Sequence, residues 1–497
     1  MCRKLICMMM TLFLAIACQD IEQSADSVQP EAVKIIQLTA EPTATQPPPT
    51  MTPLPQGKAG SAGYGDPLFD NLGNGGYDVQ HYDLQISWDN ETGEIQGVAT
   101  ITALATQNLS GFNFDLKALT VESVTVNGET VAHGRENKEL IITLPEEMVL
   151  IEGDQFETVV TYQGVPKPVS DGGFPLGWIK YETGVYIVSE PNGSHSWYPV
   201  NDHPADKATY TLRITVPKPF VVAANGTPST PIEDGELITY IFDEDELMAS
   251  YLVTVNIAEF EVQSEPGDKS GIPIKNYIEK GVRPELSDAF KNQDEILSVL
   301  IDLFGPYPYD EIGGVVPNSN LRFALETQTL PIYGQGILMY AGDFVIVHEL
   351  AHQWFGNSLS PATWDEIWLN EGFANYSEAL WLEHTDGREA MLGYMQTQYE
   401  EEKPQTVPPG IIESGGFGTL FSGSVYQRGG LTLHALRLTV GDDAFFEILQ
   451  TYASRYAHSN VTTEDFISVA EEVSGQSLTE LFDAWLYQAE LPELPEG

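Results

Sequence analysis

The chain has 497 residues, 42% of them hydrophobic, which at about 100–200 residues per domain leaves room for two to four domains and a sizeable core. Its 72 Asp and Glu against 23 Lys and Arg give a formal net charge of −49, a field that repels polyanions, so nucleic-acid binding is excluded as a class. Charged residues make up only 19% and aromatics 10%, so the acidity decorates a folded surface and does not mark a disordered chain.

All three cysteines, Cys2, Cys7 and Cys18, fall in the first eighteen residues, leaving none for disulfides or a thiolate metal site in the body. Arg3 and Lys4 precede an apolar run from Leu5 to Leu14 that is too short to span a bilayer as a mature helix. Ala15-Ile16-Ala17 follows as a small-residue cleavage site, so residues 1–17 read as a secretory signal. Leu14-Ala15-Ile16-Ala17-Cys18 resembles a bacterial lipobox, with Cys18 as the lipid-modified first residue of an extracytoplasmic lipoprotein; plain secretion is the alternative. From 18 to 63 the composition turns to Pro, Thr, Gln, Ala and Ser, a semi-stiff spacer that cannot form a core.

From 64 to 270 the dominant signal is two-residue alternation, as in Tyr82, Leu84, Ile86 and Trp88, and in Val124-Thr125-Val126 ahead of the turn pair Asn127-Gly128. This predicts an antiparallel β-sandwich or saddle. From 271 to 497 the period becomes helical, first with Leu297, Leu300, Ile301, Leu303 and Phe304. Ser477-Leu478-Thr479-Glu480 predicts a capping box opening a last helix that carries Leu481, Phe482, Trp485 and Leu486. The fold class expected is α+β multidomain, a β domain followed by a mainly α one.

The chemistry concentrates in Val347-His348-Glu349-Leu350-Ala351-His352, flanked by Phe344, Val345 and Ile346, which reads as a buried helix. Positions four apart share a helical face, so His348 and His352 can offer two imidazole nitrogens to one ion with Glu349 beside them. Eighteen residues further on, Glu371 sits in the apolar helical segment Trp368-Leu369-Asn370-Glu371-Gly372-Phe373-Ala374 and can supply a third ligand. Two His and one Glu with no Cys leave one coordination position open, the arrangement of a catalytic zinc. An accidental pattern would bury these polar groups unpaired, at a desolvation cost that a shared metal removes.

This spacing is similar to that of the aminopeptidase N family of zinc metallopeptidases, the gluzincins, over about Asp66 to Pro492. Further segments agree: Trp368 to Ala374, then Tyr426-Gln427-Arg428-Gly429, which resembles a Tyr-any-Lys/Arg-Gly signature. In the β half, Trp197 to Ala208 resembles the family's Pro-Cys-any-Asp-Glu-Pro stretch. The resemblance implies a thermolysin-like catalytic domain and one zinc ion per chain on His348, His352 and Glu371. It makes Glu349 the general base and Tyr426 the oxyanion donor. Glu326, in Ala324-Leu325-Glu326-Thr327-Gln328, would hold the substrate's α-ammonium like the family's Gly-Ala-Met-Glu-Asn loop, although Leu325 and Thr327 depart from that pattern. Glu190 would be a second acceptor from the β domain, and Glu378, on the same helical face as Glu371, a partner for a ligand His.

Large relatives continue into a β-sandwich and a helical cap, whereas this sequence ends at Gly497, which implies a more open cleft. The function expected is a surface-anchored zinc aminopeptidase acting on peptides, touching the membrane only through its lipid, with a zinc endopeptidase or a non-catalytic peptide-binding lipoprotein as alternatives. Oligomeric state and preferred N-terminal residue are not encoded in any motif.

Overall fold

Alternation of apolar and polar side chains builds the first half. In the strand Tyr77–Trp88, Tyr82, Leu84, Ile86 and Trp88 are buried while Gln85 and Ser87 face solvent, as a period of two requires. This strand sits inside a nine-stranded sheet, between Ile95–Ala105 on one side and Ala208–Pro217 on the other. Asn127 and Gly128 take positive φ angles of 49° and 81° and turn Thr120–Val126 into a hairpin with Glu129–Thr130, as the turn pair predicts. The expectation of an antiparallel domain needs correction at two pairs: Tyr77–Trp88 and Ala208–Pro217 run parallel, and so do Lys58–Ala59 and Leu109–Asp115. A parallel pair needs a long crossover, for the first some 120 residues of intervening chain, which local periodicity does not display.

A four-stranded sheet packs on the inner face of the large one, with Phe112 and Phe114 of Leu109–Asp115 against Tyr77 at ring distances of 5.7 and 5.5 Å. A five-stranded sheet containing Phe174–Lys180 and Val185–Val188 follows and brings Leu176, Val188 and Glu190 toward the second half. The second half opens with another five-stranded sheet: Phe260–Glu265, Ile274–Glu279, Ile312–Val316, Ile332–Tyr333, Ala324–Leu325. Because Phe260–Glu265 and Ile274–Glu279 pair as a hairpin, the boundary expected at 270/271 falls inside its connection. Strand pairing therefore carries the second region's sheet back to Phe260.

The rest is helical. Gln293–Phe304 buries Ile296, Leu297, Leu300 and Phe304 on one face. The helices Asp343–Ala351, Trp368–Asp386 and Gly423–Val440 are apolar on most sides and lie in the interior, with Trp354, Trp364 and Trp368 fully buried around them. The capping box expected at Ser477 is replaced. The helix Thr479–Leu486 has no side-chain cap of its own; the Glu471 carboxylate accepts the Leu478 and Thr479 N–H groups instead, at 2.7 and 3.1 Å. A box does form one helix earlier, where Thr462 and Asp465 cap Thr463–Ser474 reciprocally.

These features come from a computed structural model that describes residues 56–495 apart from 172, 287 and 413–416. The signal, Cys18 and the spacer as far as residue 55 lie outside the described residues, but the end expected for the spacer at 63 is too late, because Lys58–Ala59 pairs with Leu109–Asp115 as an edge strand of the four-stranded sheet. Among the described residues no helix is long and apolar enough to cross a membrane. The two halves lock through buried polar groups of the Trp197–Ala208 stretch. The Lys207 ammonium donates to the Asn357 and Ser358 carbonyls at 2.9 Å each. Asp66 joins His203 at 3.2 Å to the Trp364 N–H at 2.8 Å.

Candidate metal and active site

Asp343–Ala351 is a helix because Phe344, Val345, Ile346, Val347 and Leu350 have a core to bury in, and Asp343 stands at its positive end. His348 and His352, one helical turn apart, face Glu371 in the first turn of Trp368–Asp386. His348 Nε2 lies 3.3 Å and His352 Nε2 3.5 Å from Glu371 Oε2. All three donor atoms lie within 4.8 Å of one another. Tetrahedral zinc with arms of about 2.0–2.1 Å has ligand-to-ligand edges of roughly 3.3 Å, so the donors already stand near the edges of such a polyhedron.

The opposite ring nitrogens fix the tautomers. His348 Nδ1 meets Glu378 Oε1 at 2.9 Å and His352 Nδ1 meets the Phe355 carbonyl at 3.1 Å, so each Nδ1 keeps its proton when an ion takes the Nε2 lone pair. Glu378 is itself held by the Tyr394 hydroxyl at 3.1 Å. Gly356, with φ of 126°, turns the chain where an added Cβ would come within 3.2 Å of His352 Nδ1 and Asn370 Nδ2. Burial alone would raise the Glu371 carboxyl, but in the metal-free site the charge of protonated His352 and hydrogen bonds from His348 and His352 hold it at about 2, so it stands ionised.

Glu349 points into the same cavity, about 300 Å³ in volume, beside His348, Glu190, Glu326 and Tyr426. Burial lifts its carboxyl to about 8 against the pull of His348 and His352, and a dication in the site acts in the opposite sense. The Tyr426 ring stacks on His348 with centroids 5.9 Å apart. Burial, then Glu371, pushes its phenol well above the ordinary value of 10, so it remains an O–H donor. Leu176, Val188, Leu325, Phe344, Val345 and Phe421 supply the apolar walls.

Glu326 and Glu190 are buried at 2% and 5% exposure, and each keeps one Oε1 without a hydrogen-bond partner. Burial, then the neighbouring Glu326, raises Glu190 well above the usual carboxylate range; burial raises Glu326 as well, partly offset by His352. Two buried carboxyls short of donors are chemically able to accept a cation with several N–H groups. The structure therefore brings His348, His352, Glu371, Glu349, Tyr426, Glu326, Glu190 and Glu378 into one cavity. Reading by motif passed over Gln353, Asn357 and Tyr394. Gln353 follows His352 directly, and an amide buried next to a ligand was the available signal.

A β-sandwich leading into a helical domain around two His and one Glu, with a carboxylate between them, is the architecture of a zinc metallopeptidase. Residues 78–252 match the peptidase M1 N-terminal domain, and residues 289–485 match the peptidase family M1 domain. An M1 zinc metallopeptidase from Deinococcus radiodurans superposes with a TM-score of 0.81 and 30% identity, over 87% of this chain and 99% of that one. A mutant of that protein has been solved bound to a Tyr-Ser-Ala substrate. The chain belongs to peptidase family M1, and the metal of its site is one zinc ion.

Aminopeptidase M1-B of Oryza sativa subsp. japonica is 29% identical over 318 residues, 59% of this chain and 36% of that protein. Aminopeptidase A of Gloydius brevicauda is 25% identical over 504 residues, 91% of this chain and 51% of that protein. The chain thus spans about a third to a half of these longer relatives.

Proposed function

We propose that the protein is a zinc aminopeptidase that removes N-terminal residues from peptides, anchored outside the cell through Cys18. The observation that carries the exopeptidase reading is the pair of orphaned buried oxygens, Glu190 Oε1 and Glu326 Oε1, in the cavity of the metal donors. A peptide's α-ammonium offers three donors and a positive charge to those two carboxyls, placing the first peptide bond at the metal. The Tyr-Ser-Ala complex of the Deinococcus protein supports a peptide as the occupant.

A zinc ion on His348, His352 and Glu371 supplies a Lewis acid for the scissile carbonyl and for water. Glu349 takes the proton that the attacking water loses and hands it to the departing amine. Tyr426 donates its phenolic proton in a hydrogen bond to the carbonyl oxygen as negative charge develops there, an interaction stronger in the transition state than in the ground state. Glu378 keeps the His348 proton on Nδ1 throughout.

Amino-acid anilides with free and acetyl-capped amines provide the test. The zinc-loaded protein is expected to cleave the free substrate and reject the capped one, and Glu349→Gln to lose about 10²–10⁴ of the rate while keeping its zinc. Equal rates on both substrates would make it an endopeptidase; no hydrolysis of either would leave a peptide-binding protein. The anchoring rests on Arg3, Lys4, the apolar run and Ala15-Ile16-Ala17-Cys18. Expressed in a bacterium with its signal, the chain is expected in the membrane fraction and Cys18→Ser in the soluble one; an unchanged distribution would refute the anchor.

A further inference from the structure

The ammonium receptor and the metal come from different parts of the chain, and cleavage after one residue requires a fixed distance between them. Glu326 lies on a loop between Ala324–Leu325 and Ile332–Tyr333, a part of the chain with no regular structure to hold it. Its backbone carbonyl accepts two amides, Gln353 Nε2 at 3.1 Å and Asn357 Nδ2 at 2.7 Å. The other end of the Gln353 amide completes the clamp, since Oε1 accepts the Thr329 N–H at 2.9 Å. Gln353 and Asn357 are both fully buried at 0% exposure.

Both amides belong to the ligand-bearing turn. Gln353 is joined to His352 by one peptide bond, and the Asn357 N–H donates to the His352 carbonyl at 2.9 Å. Between the two grips the loop takes an unfavourable shape. Thr329, a β-branched residue, has φ of 60°, a conformation that persists only where the surroundings over-determine it. Asn225 holds the far side by donating to the Gln328 carbonyl at 2.6 Å and the Leu252 carbonyl at 3.0 Å.

We infer that Gln353, with Asn357 beside it, is the positioning residue that sets the distance from the metal centre to the Glu326 carboxyl, and with it the one-residue register of cleavage. Gln353 touches neither metal nor substrate and acts through Glu326. The inference rests on the aminopeptidase reading, because only an enzyme that anchors the α-ammonium needs that distance held. A displacement of about 1 Å at such an anchor is enough to cost up to 100-fold in turnover of the anchored substrate.

The test is a double-mutant cycle on the zinc-loaded full chain with a free aminoacyl anilide, reading KM, kcat and zinc per chain. Gln353→Met, nearly isosteric and unable to form the side-chain hydrogen bonds to the Glu326 and Glu349 carbonyls and from the Thr329 N–H, is expected to raise KM about tenfold with zinc retained. In a Glu326→Gln background the same change is expected to move KM by less than about twofold, since the group being positioned is already disabled. Equal effects in both backgrounds, or no rise in KM in the wild-type background, would overturn the inference. Asn357→Ala carries the same readings should Gln353→Met lose its metal or its fold. Wild type that hydrolyses free and acetyl-capped anilides alike would overturn the aminopeptidase reading first, and the inference with it, before any variant is made.

Discussion

His348 carries two nitrogens with separate tasks: Nδ1 faces the Glu378 carboxylate at 2.9 Å while Nε2 faces Glu371 at 3.3 Å. The carboxylate decides which nitrogen keeps the proton and so which one is a metal ligand. Glu378→Gln retains the shape but not the charge, and its amide can present either N or O to the ring. Zinc affinity is then expected to fall about 10–100-fold, read by competition with a chromogenic chelator, while the rate per bound zinc changes less. Unchanged affinity would mean that Glu378 is no more than a charge near the helix surface. The seven-residue spacing from Glu371 put Glu378 on the correct helical face in the sequence, yet the same spacing fits a solvated charge equally well. Only the approach of the neighbouring helix, with Tyr394 on the other carboxylate oxygen, separates the two readings.

At the scale of elements, the site depends on how closely Trp368–Asp386 and Gly423–Val440 approach. A Cβ added at Gly429 would sit 2.8 Å from Gly372 Cα, and one added at Gly372 would sit 2.9 Å from Gly429 Cα. Gly372 adjoins Glu371 and Gly429 is three residues from Tyr426, so this contact sets how the phenol stands over the metal donors. Gly429→Ala has to push backbone against backbone, which no side-chain rotation relieves. It is expected to cost about 1–3 kcal/mol of stability and, by shifting Tyr426, to lower kcat at least tenfold with zinc retained. Thermal unfolding and single-turnover rates check the two halves of that statement, and wild-type kcat would refute the second. The motif Tyr426-Gln427-Arg428-Gly429 was visible in the sequence, but the reason for its glycine was not, because a glycine inside a helix reads locally as a weakness. Capping went the same way: Ser477 and Glu480 have the spacing of a box, yet Glu471, from the preceding helix, reaches those N–H groups first.

At the scale of the whole molecule, folding buries acids that a chain of net charge −49 would be expected to keep outside. Glu244, in Leu237–Met248, is 4% exposed and has one oxygen without a partner; burial lifts its carboxyl from 4.5 to about 8. With the folded value above the unfolded one, its contribution to stability is fully present below pH 4.5. That contribution is lost as pH rises toward 8, because the unfolded chain releases the proton first. Glu244→Gln is expected to remove this slope, so that between pH 4.5 and 8 the variant gains on wild type by roughly 1.4 kcal/mol for each step of one in pH. Denaturant unfolding at the two ends of that window measures it, and parallel curves for the two proteins would contradict it.

The sequence by itself determined whatever repeats locally or sits at a fixed spacing. The strand alternation, the Asn127-Gly128 turn, the helical half and the His348, His352 pair are of this kind, because backbone geometry assigns residues two or four apart to one face wherever the fold places them. Tertiary structure alone decided the matters that join distant segments: the parallel pairing of Tyr77–Trp88 with Ala208–Pro217, the Gly372 to Gly429 approach, and the grip of Gln353 on the Glu326 loop. No periodicity encodes these contacts. Each depends on which surfaces are left to be buried once the local elements have formed, and on which buried polar groups must then find one another.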